Sequence, residues 1–232
     1  MAQKPLPISL IIPCLNEADQ LSSFLNDIDF SFFQELIIVD GDSKDDSTLI
    51  AKNYQAQIIK TPMARRSLQM NEGAKKSKGK YLLFLHADVR PGLNFYTSLT
   101  IAIQRSISCA NFRLKFNNRH GLLRFHAFFT RFENLPFQFG DQGLLIQKEL
   151  FDHFKFDEQL EVLEDQELLK RLKKASIRCQ KLDATLLVSA RAYLKNGVYR
   201  MQLIYYLIYT LYRLGIANHK LRILYRRLLK QK

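Results

Sequence analysis

One segment near the amino terminus limits the folds open to this chain more than any other. Four apolar residues, 36–39, read as a buried strand that ends at Asp40, and three more acidic residues follow before a helical pattern starts near Ser47. The same order, an apolar strand and then a polar end, recurs at 8–17 and 81–88. In open α/β sheets, ligands bind at the carboxyl edge of the strands. The three segments therefore predict a parallel sheet with one site at that edge.

The first half of the chain alternates between strand and helix patterns. We predict strands over 8–13, 36–40, 57–60 and 81–86, and helices over 17–28, 47–54, 67–77 and 95–105. Asn16 is expected to cap the first helix. Regular alternation of this kind is typical of a mostly parallel sheet with helices on both faces, so the predicted fold class is α/β.

The second half departs from that alternation. We predict strands over 110–117, 143–147 and 185–189, and helices over 122–132, 148–154, 164–174, 199–214 and from Gly215 onward. The strand 110–117 alternates like an exposed strand, and the phenylalanine stripe of helix 122–132 is typical of a core-facing side. The predicted organisation is one domain over residues 1–197 with a helical extension over 198–232. That extension either belongs to the same domain or lies on a membrane surface.

Charge and composition bound the partners. The 232 residues carry a formal net charge of +13, which fits nucleic acid, an anionic membrane surface or a phosphorylated ligand. The three cysteines have no paired spacing, so we expect free thiols in a reducing compartment. The first residues lack a signal-peptide pattern. Three polar residues interrupt the apolar run at 198–214, which is short for a membrane span, so we expect a core or interfacial helix.

Two arginines and an aspartate are candidates for binding a diphosphate. Arg65 and Arg66 stand just before the predicted helix 67–77, and Asp88 follows a strand. Guanidinium groups and helix starts bind phosphate, and a carboxylate binds Mg²⁺ or Mn²⁺. Each residue alone has a simpler explanation, because surface arginines commonly face solvent and an aspartate at a strand end often caps the next helix.

Acidic residues in the second half are candidates for acid–base chemistry. Glu164 and Asp165 begin a predicted helix, whose dipole keeps a carboxylate ionised and suited to act as a general base. An acid-rich first turn can equally well serve only as a cap. His86 is either a metal ligand or a structural hydrogen-bond donor, and Asp141 lies in a glycine-flanked segment that reads as a turn.

Seven short motifs in one order carry a resemblance to a known family. They are IIPCLNE at 11–17, IVDGDS at 38–43, RSLQMNEGA at 66–74, LHAD at 85–88, GDQG at 140–143, LEDQE at 163–167 and SARAY at 189–193. The set resembles glycosyltransferase family 2, which has the GT-A fold. More narrowly, it resembles the small bacterial subgroup described as radical-SAM/selenodomain-associated transferases. The resemblance extends from residue 8 to about residue 224.

The resemblance implies a hexosyltransferase-type enzyme with a Rossmann-like, mostly parallel sheet flanked by helices. The implied reaction moves a sugar, with inversion, from a nucleotide-diphosphate sugar to an acceptor hydroxyl. The implied cofactor is a divalent metal, Mn²⁺ or Mg²⁺, and the implied metal ligand is Asp88. Contacts with the nucleotide sugar are implied for Pro13, Asn16, Glu17, Asp40, Asp42, Arg66, Asn71, Gly73 and Asp88.

The same resemblance assigns the remaining roles. Asp165 matches the catalytic base, with Glu164 beside it, and acceptor contacts are implied for Asp141, Gln142 and Arg191. One departure is His86, which stands where the family has the first acid of its metal motif. A second departure is that the aromatic residue after the late arginine is displaced by one position. The phenylalanine helix and the 140–143 loop are candidates for covering the site and for binding the acceptor.

The carboxyl-terminal region is expected to dock on the inner face of the cell membrane and to present a lipid-linked or apolar acceptor. Its predicted apolar side consists of Val198, Leu203, Leu207, Leu211 and Leu214. Its arginines Arg213, Arg222, Arg226 and Arg227 would meet anionic head groups. The alternative is a helix that packs on the sheet, followed by a solvated basic tail. The expected location is the cytoplasm, peripheral to the membrane.

Three other classes of function fit part of the pattern. One is a non-catalytic module that binds a membrane surface through its basic carboxyl-terminal region. A sugar-nucleotide pyrophosphorylase would share the sheet and the metal, but it usually has a glycine-rich phosphate loop near the amino terminus, and residues 13–17 contain no glycine. A basic nucleic-acid-binding protein would fit the net charge. The acidic strand ends would repel a phosphate backbone, so we expect no nucleic acid partner.

Overall fold

The computed structural model describes residues 4–133 and 140–229. The strands are β1 Leu6–Cys14, β2 Phe33–Asp40, β3 Gln57–Lys60, β4 Tyr81–Phe84, β5 Val89–Pro91, β6 Cys109–Phe116, β7 Leu144–Gln147 and β8 Gln180–Val188. The first six helices are α1 Ala18–Asp27, α2 Ser47–Asn53, α3 Arg66–Lys76, α4 Phe95–Gln104, α5 Gly121–Phe129 and α6 Lys148–Phe154. The others are α7 Glu164–Lys174, α8 Arg191–Asn196, α9 Val198–Arg213 and α10 Asn218–Leu229.

The strands form one eight-stranded sheet in the order β3-β2-β1-β4-β7-β6-β8-β5. Strands β1 to β4 are parallel to one another, while β7 joins them antiparallel to β4. This arrangement confirms the predicted α/β class. Cys14 pairs with Asp40, and Ile11 pairs with Phe84. That register brings the segments following β1, β2 and β4 to one edge, as the strand ends predicted.

Apolar layers cover both faces of the sheet. On β1, Leu10 and Ile12 point into the larger layer, whereas Ile11 points into the smaller one with Phe84. A strand buried on both faces reads as a continuous apolar run, which is why the pattern of β1 was readable in the sequence. Helix α3 lies close to the smaller layer, since a Cβ added to Gly73 would come within 2.5 Å of Ile11 Cγ2.

Two expectations about local structure are wrong. Asn16 does not cap α1, because its side chain accepts a hydrogen bond from the Lys44 backbone N–H instead. Strand β6 is not exposed along its length. It lies between β7 and β8, so its first four residues are buried and the alternation of exposure starts only at Arg113.

The phenylalanine stripe of α5 also faces the other way from its prediction. The buried side chains of α5 are Leu123 and His126. Phe125 and Phe128 point outward, 60% and 47% exposed. The stripe therefore does not form the core, and a smaller apolar residue and a histidine fill the inner face.

The carboxyl-terminal helices pack on the sheet domain. Tyr205 on α9 and Tyr225 on α10 have ring centroids 6.1 Å apart, and Lys170 on α7 lies 5.5 Å from the ring centroid of Tyr212. The predicted apolar side of α9 is divided, since Val198 is buried and Leu203 is 69% exposed. No helix within the described ranges is both long and apolar enough to cross a membrane. The last three residues of the basic tail lie outside the described residues.

Candidate functional site

The loops after β1 and β2 are fastened to each other by side chains. The Asn16 backbone N–H donates to Ser43 Oγ over 2.9 Å, and the Lys44 N–H donates to Asn16 Oδ1 over 2.7 Å. The Ala18 N–H donates to Asp45 Oδ2 over 3.0 Å. Asn16 has a left-handed φ of 51°, which asparagine tolerates better than most residues. These bonds give the two loops one fixed shape before any ligand binds.

Asp40 and Asp42 occupy different positions in this loop pair. Asp40 is buried, and its carboxylate accepts hydrogen bonds from the Ser43 N–H over 3.2 and 3.3 Å. Asp42 is exposed, and its ion pair with Lys44 at 2.7 Å lowers the pKa of its carboxyl. The structure brings both to the predicted edge, but only Asp42 is open to solvent.

A glutamine that the sequence interpretation missed holds the ends of β1 and β2. Gln69 on α3 is buried, and its Nε2 donates to Cys14 O over 2.9 Å and to Val39 O over 2.7 Å. The only signal in the sequence was a polar residue on the inner face of a predicted helix. Gln69 therefore acts as a positioning residue for the loops above it.

Glu17, Asp88 and Arg191 lie near one another at the open edge. Arg191 Nη2 is 3.4 Å from Glu17 Oε2. Burial raises the pKa of Glu17, Arg191 opposes that shift, and Asp88 adds to it. Arg191, which the resemblance implied on the acceptor side, thus contacts the loop after β1.

The groups around the Arg66 guanidinium differ from those around its neighbour Arg65. Burial would lower the pKa of Arg66, but Glu164, Asp141 and Asp88 raise it above its ordinary value. Arg66 is still exposed to solvent, so its charge faces an open space among carboxylates. Arg65 turns away, and its guanidinium donates to Glu158 O over 2.7 Å. Of the two predicted arginines, only Arg66 points to the site.

Asp88, Asp141 and Glu164 come from distant parts of the sequence and lie near Arg66, and Asp165 is adjacent to Glu164. Burial and the nearby charge of Asp88 raise the pKa of Asp141 to about 6, against the opposing effect of Arg66. Burial, and then Glu164, raise the pKa of Asp165 to about 7. Glu164 itself is buried, whereas Asp165 is partly exposed. A carboxyl with a pKa near 7 can accept a proton at neutral pH.

A cavity reaches from these acids to the sheet. It is lined by His86, Asn111, Glu164, Asp165 and several apolar side chains. Burial and the charge of Arg66 lower the pKa of His86 to about 3, so the imidazole is neutral. In the described part of the chain, Asn111 Oδ1 has no hydrogen-bond partner. An unpartnered polar atom in such a cavity is available to a bound molecule or water.

The residues present fit a metal that arrives with its phosphate ligand. No group of three His, Cys, Asp or Glu side chains in residues 4–133 and 140–229 could hold a cation by itself. Mg²⁺ commonly binds one or two carboxylates and completes its shell with substrate phosphates and water. Asp88 would supply one such carboxylate, and the neutral imidazole of His86 adds no positive charge that would repel a cation.

Four of the residues implied by the resemblance have structural roles. Pro13 is buried within β1 and pairs with Val39, and Gly73 lets α3 approach the sheet. Asn71 accepts from the Phe156 N–H over 3.0 Å and donates to its carbonyl over 2.9 Å. Gln142 is fully buried and accepts from Lys181 Nζ. None of these four contacts places the side chain in the open cleft.

Three tyrosines lie beside the acids, a position that the sequence analysis did not assign to them. Tyr193 and Tyr205 have ring centroids 5.9 Å apart, and Tyr225 hydrogen-bonds Tyr205. Burial raises the pKa of all three, and the charge of Asp141 adds to each shift. The three tyrosines therefore lie near Asp141, and we name them the tyrosine wall.

Helix α10 holds the loop that precedes Asp165. The Glu161 N–H donates to Asn218 Oδ1 over 3.0 Å, and Asn218 Nδ2 donates to Val162 O over 2.8 Å. Arg222 on the next turn pairs with the Glu161 carboxylate. These contacts fix the chain immediately before Glu164, so the position of the acids depends on α10.

Comparison with known proteins gives a family and a set of similar folds. The family model described as "Glycosyl transferase family 2" matches residues 9–156. No curated protein sequence matches the chain. S. aureus TarS 1–349 has a TM-score of 0.60 at 16% identity, over 84% of this chain and 63% of that one. The same TarS fragment has been solved with UDP-GlcNAc.

Two further solved structures are similar. The mannosyltransferase PcManGT from Pyrobaculum calidifontis, in complex with GDP-Man and Mn²⁺, has a TM-score of 0.65 at 15% identity, over 88% of this chain and 64% of that one. Glucosyl-3-phosphoglycerate synthase from Mycobacterium tuberculosis, with Mn²⁺, UDP and glucosyl-3-phosphoglycerate, has a TM-score of 0.56 at 19% identity, over 78% and 70%. The chain thus spans less than two thirds of the TarS fragment and of PcManGT.

Proposed function

The chain belongs to glycosyl transferase family 2, and we propose that it moves a sugar from a nucleotide-diphosphate sugar to an acceptor hydroxyl with inversion. The observation that carries this proposal is the open edge where Arg66 faces Asp88, Asp141 and Glu164. An arginine held among carboxylates can bind a diphosphate on one side while an acid on the other side takes a proton. The similar structures solved with UDP or GDP sugars support the same choice of donor.

The donor would lie along the loops after β1 and β2. Asp42, Asn16 and Glu17 are the exposed or partly exposed predicted contacts there, and the nucleoside would bind among them. Asp40 would shape the pocket from below through its bond to the Ser43 N–H. Pro13, Asn71 and Gly73 would act by holding the framework, because the structure buries or engages each of them.

The leaving diphosphate would be neutralised at Arg66 and Asp88. The guanidinium of Arg66 would bind phosphate oxygens and stabilise the charge that develops as the glycosidic bond breaks. Asp88 would hold a divalent cation, Mn²⁺ or Mg²⁺, which supplies further positive charge to the diphosphate when bound. Complexes of PcManGT and of the mycobacterial synthase with Mn²⁺ support this assignment.

Asp165 would be the general base. It would take the proton of the acceptor hydroxyl as that oxygen attacks the anomeric carbon from the face opposite the diphosphate. Its raised pKa, near 7, makes it a stronger base than an ordinary aspartate. The buried neighbour Glu164 contributes to that shift, and so acts on Asp165 as a positioning residue.

The acceptor would enter on the side of Asp141 and the tyrosine wall. A wall of Tyr193, Tyr205 and Tyr225 suits an apolar or lipid-linked acceptor that ends in a hydroxyl, because each side chain combines an apolar ring with one hydroxyl group. Asp141 and Arg191 would guide its hydroxyl, and Gln142 would support Asp141 from within. We also propose the narrower hexosyltransferase type and radical-SAM-associated subgroup, and a cytoplasmic enzyme peripheral to the membrane.

Calorimetry with nucleotide diphosphates tests the donor site. UDP, GDP and TDP would each be titrated into the protein with Mn²⁺ and again with EDTA. We expect one nucleotide to bind in the presence of Mn²⁺ and to lose most of its affinity in EDTA. A screen of the matching nucleotide sugars, read by released nucleotide, would then identify the sugar. Absence of binding in all six titrations would refute the assignment.

A further inference from the structure

Phenylalanine rings cover much of the outer surface of α5 and of the turn that follows it. Phe125, Phe128 and Phe132 are 60%, 47% and 41% exposed. Phe125 and Phe128 lie against the partly buried Phe129, with centroids 4.8 and 5.6 Å away, and Phe132 is 6.1 Å from Phe128. Contiguous exposed apolar groups mark interaction sites, whereas scattered ones do not. The outer surface of α5 is of the contiguous kind.

Helix α9 carries a second set of exposed apolar side chains. Tyr199 and Leu203 are 67% and 69% exposed, and Tyr206 and Leu207 are 45% and 43% exposed. They are three or four residues apart or adjacent, so they share one side of the helix. The opposite side, with Ile204 and Ile208, is buried in the core.

The two sets lie on neighbouring helices. The Nδ1 atom of His126 on α5 is 3.3 Å from Nε2 of Gln202 on α9. The rings of His120, just before α5, and Tyr199 have centroids 5.5 Å apart. We name the combined surface the aromatic face, which consists of Phe125, Phe128, Phe132, Tyr199, Leu203, Tyr206 and Leu207.

The segments that bear the aromatic face carry positive charge and no carboxylate. Residues 117–132 contain three arginines and no Asp or Glu, and residues 190–232 contain ten Lys or Arg and again no acid. Arg131 lies with its guanidinium carbon 3.8 Å from the centroid of the Phe128 ring, and Arg124 is exposed. The apolar surface is therefore bordered by cations.

We infer that the aromatic face binds the surface of an anionic lipid bilayer. Aromatic and leucine side chains would enter the boundary between head groups and acyl chains, and the bordering arginines would meet lipid phosphates. A second copy of the chain fits this surface less well, because a symmetric contact would bring the same arginines together without opposing acids. Charge complementarity thus favours the bilayer as the partner.

The aromatic face lies on the acceptor side of the site. Helix α5 packs on β6, which also contacts the short 3₁₀ turn Gly140–Gln142 that carries Asp141. The inner side of α9 contributes Tyr205 to the tyrosine wall. Resting on the proposed function, we infer that the bilayer orients the site toward a hydroxyl held at the membrane surface. Binding to the bilayer does not itself depend on catalysis.

A tryptophan reporter gives the most direct test, because the chain contains no tryptophan. In Phe125→Trp, fluorescence should shift to the blue on addition of vesicles containing phosphatidylglycerol, and brominated lipids should quench it. The matched control is Leu49→Trp on α2, where the native side chain is 58% exposed. The control should show neither change. Equal signals from both reporters would overturn the inference.

Flotation with vesicles tests the contribution of the side chains. The pair Phe125→Ser and Leu203→Ser should reduce binding about tenfold or more, because two exposed apolar groups no longer enter the bilayer. The control pair Leu49→Ser and Leu93→Ser removes side chains of similar exposure, 58% and 75%, and should leave binding within about twofold, as expected for scattered surface residues. Thermal melts would verify that both pairs fold.

Two results would refute the membrane surface while leaving the enzyme assignment standing. One is a parent protein that binds UDP or GDP yet never floats at any phosphatidylglycerol content. The other is a dimer in gel filtration that the pair Phe125→Ser and Leu203→Ser dissociates, which would make the aromatic face an interface between copies. Conversely, vesicle binding without nucleotide binding would support the face and refute the proposed donor.

Discussion

The loops after β1 and β2, which we call the donor edge, and the group of Asp141, Glu164 and Asp165, which we call the acid cluster, both carry carboxylates. These carboxylates differ in what surrounds them. Asp40 and Asp45 accept hydrogen bonds from backbone N–H groups, so the protein itself satisfies them. Asp141 and Asp165 lie among other carboxylates, and their pKa values are raised to about 6 and about 7. We propose that the first region is shaped in advance to bind the donor, and that the second takes a proton because its pKa values lie near neutrality. On that proposal, the contrast separates residues that bind from residues that react.

The largest expected effect comes from removing the proposed base. Asp165→Asn keeps the side-chain shape but cannot take a proton, and loss of a general base costs about 10²–10⁴ in rate. Donor affinity should change by no more than a few fold. Transfer assays and calorimetry on the same preparation would measure both.

The matched control for that change is Asp19→Asn. Asp19 is the second residue of α1, as Asp165 is of α7, but Asp19 is exposed. Its replacement should leave the transfer rate near that of the parent. If Asp165→Asn also transferred at the parent rate, Asp165 would be only a helix cap, and Glu164 or Asp141 would be the next candidate.

The second effect compares two adjacent arginines. Arg66→Gln should weaken nucleotide diphosphate binding about 10- to 100-fold, the usual cost of losing charged hydrogen bonds. Arg65→Gln should leave that affinity nearly unchanged, because Arg65 donates to Glu158 O instead of facing the cleft. Calorimetry with the preferred nucleotide would measure both variants. Equal losses would mean that Arg66 acts through general charge and not by contact.

The third effect is a gain of stability in an inactive variant. The pKa of Asp165 is about 7 in the folded chain and about 4 when unfolded, so its ionised form destabilises the fold increasingly as pH rises between those values. Asparagine carries no such cost. Asp165→Asn should therefore melt at a higher temperature than the parent at about pH 8, and the difference should shrink as the pH is lowered toward 4.

Melting curves across pH would settle this third point. Asp19→Asn should show no comparable gain at alkaline pH, since Asp19 is exposed. A uniform gain for Asp165→Asn at all pH values would indicate a packing effect instead of the relief of a buried charge. In that case the contrast between the two regions would lose its electrostatic basis.

The smallest effect tests the fastened loops of the donor edge. Asn16→Ala removes the acceptor for the Lys44 N–H and should cost about 0.5–1.5 kcal/mol of unfolding free energy. If Asn16 only shapes the loops, the free energy of nucleotide binding should weaken by a similar amount, because the loops would be less ordered. A much larger fall in affinity with the same stability loss would show direct contact with the donor.

The donor edge was predictable because its signals are local. The strand ends at Asp40 and before Asp88 were readable from apolar runs, and α7 begins and ends at the residues its periodicity predicted. Parallel strands then bring their carboxyl ends together without further information. The two-sided burial of this part of the sheet makes each strand a continuous apolar stretch.

The acid cluster was harder to predict because it depends on contacts between segments that are distant in the sequence. Nothing near Asp141 in the sequence indicates that Arg66 and Asp88 lie beside it, and the tyrosines come from three separate helices. The face of α5 that is buried depends on what β6 and α9 present to it. A stripe of phenylalanines satisfies the helical period equally well facing in or out, so the periodicity alone could not decide.

The hold of α10 on the loop before Asp165 has a consequence for biosynthesis. Asn218 lies 57 residues after Glu161, whose N–H it binds, and Arg222 lies 61 residues after it. A ribosome that has already delivered the base must therefore extend the nascent chain by that span before the loop can be fixed. Until then the donor edge can form while the base has no fixed place. Catalytic activity would thus appear late in translation, after nucleotide binding. Ribosome-bound chains stalled before and after α10 would differ in catalytic activity but not in nucleotide binding.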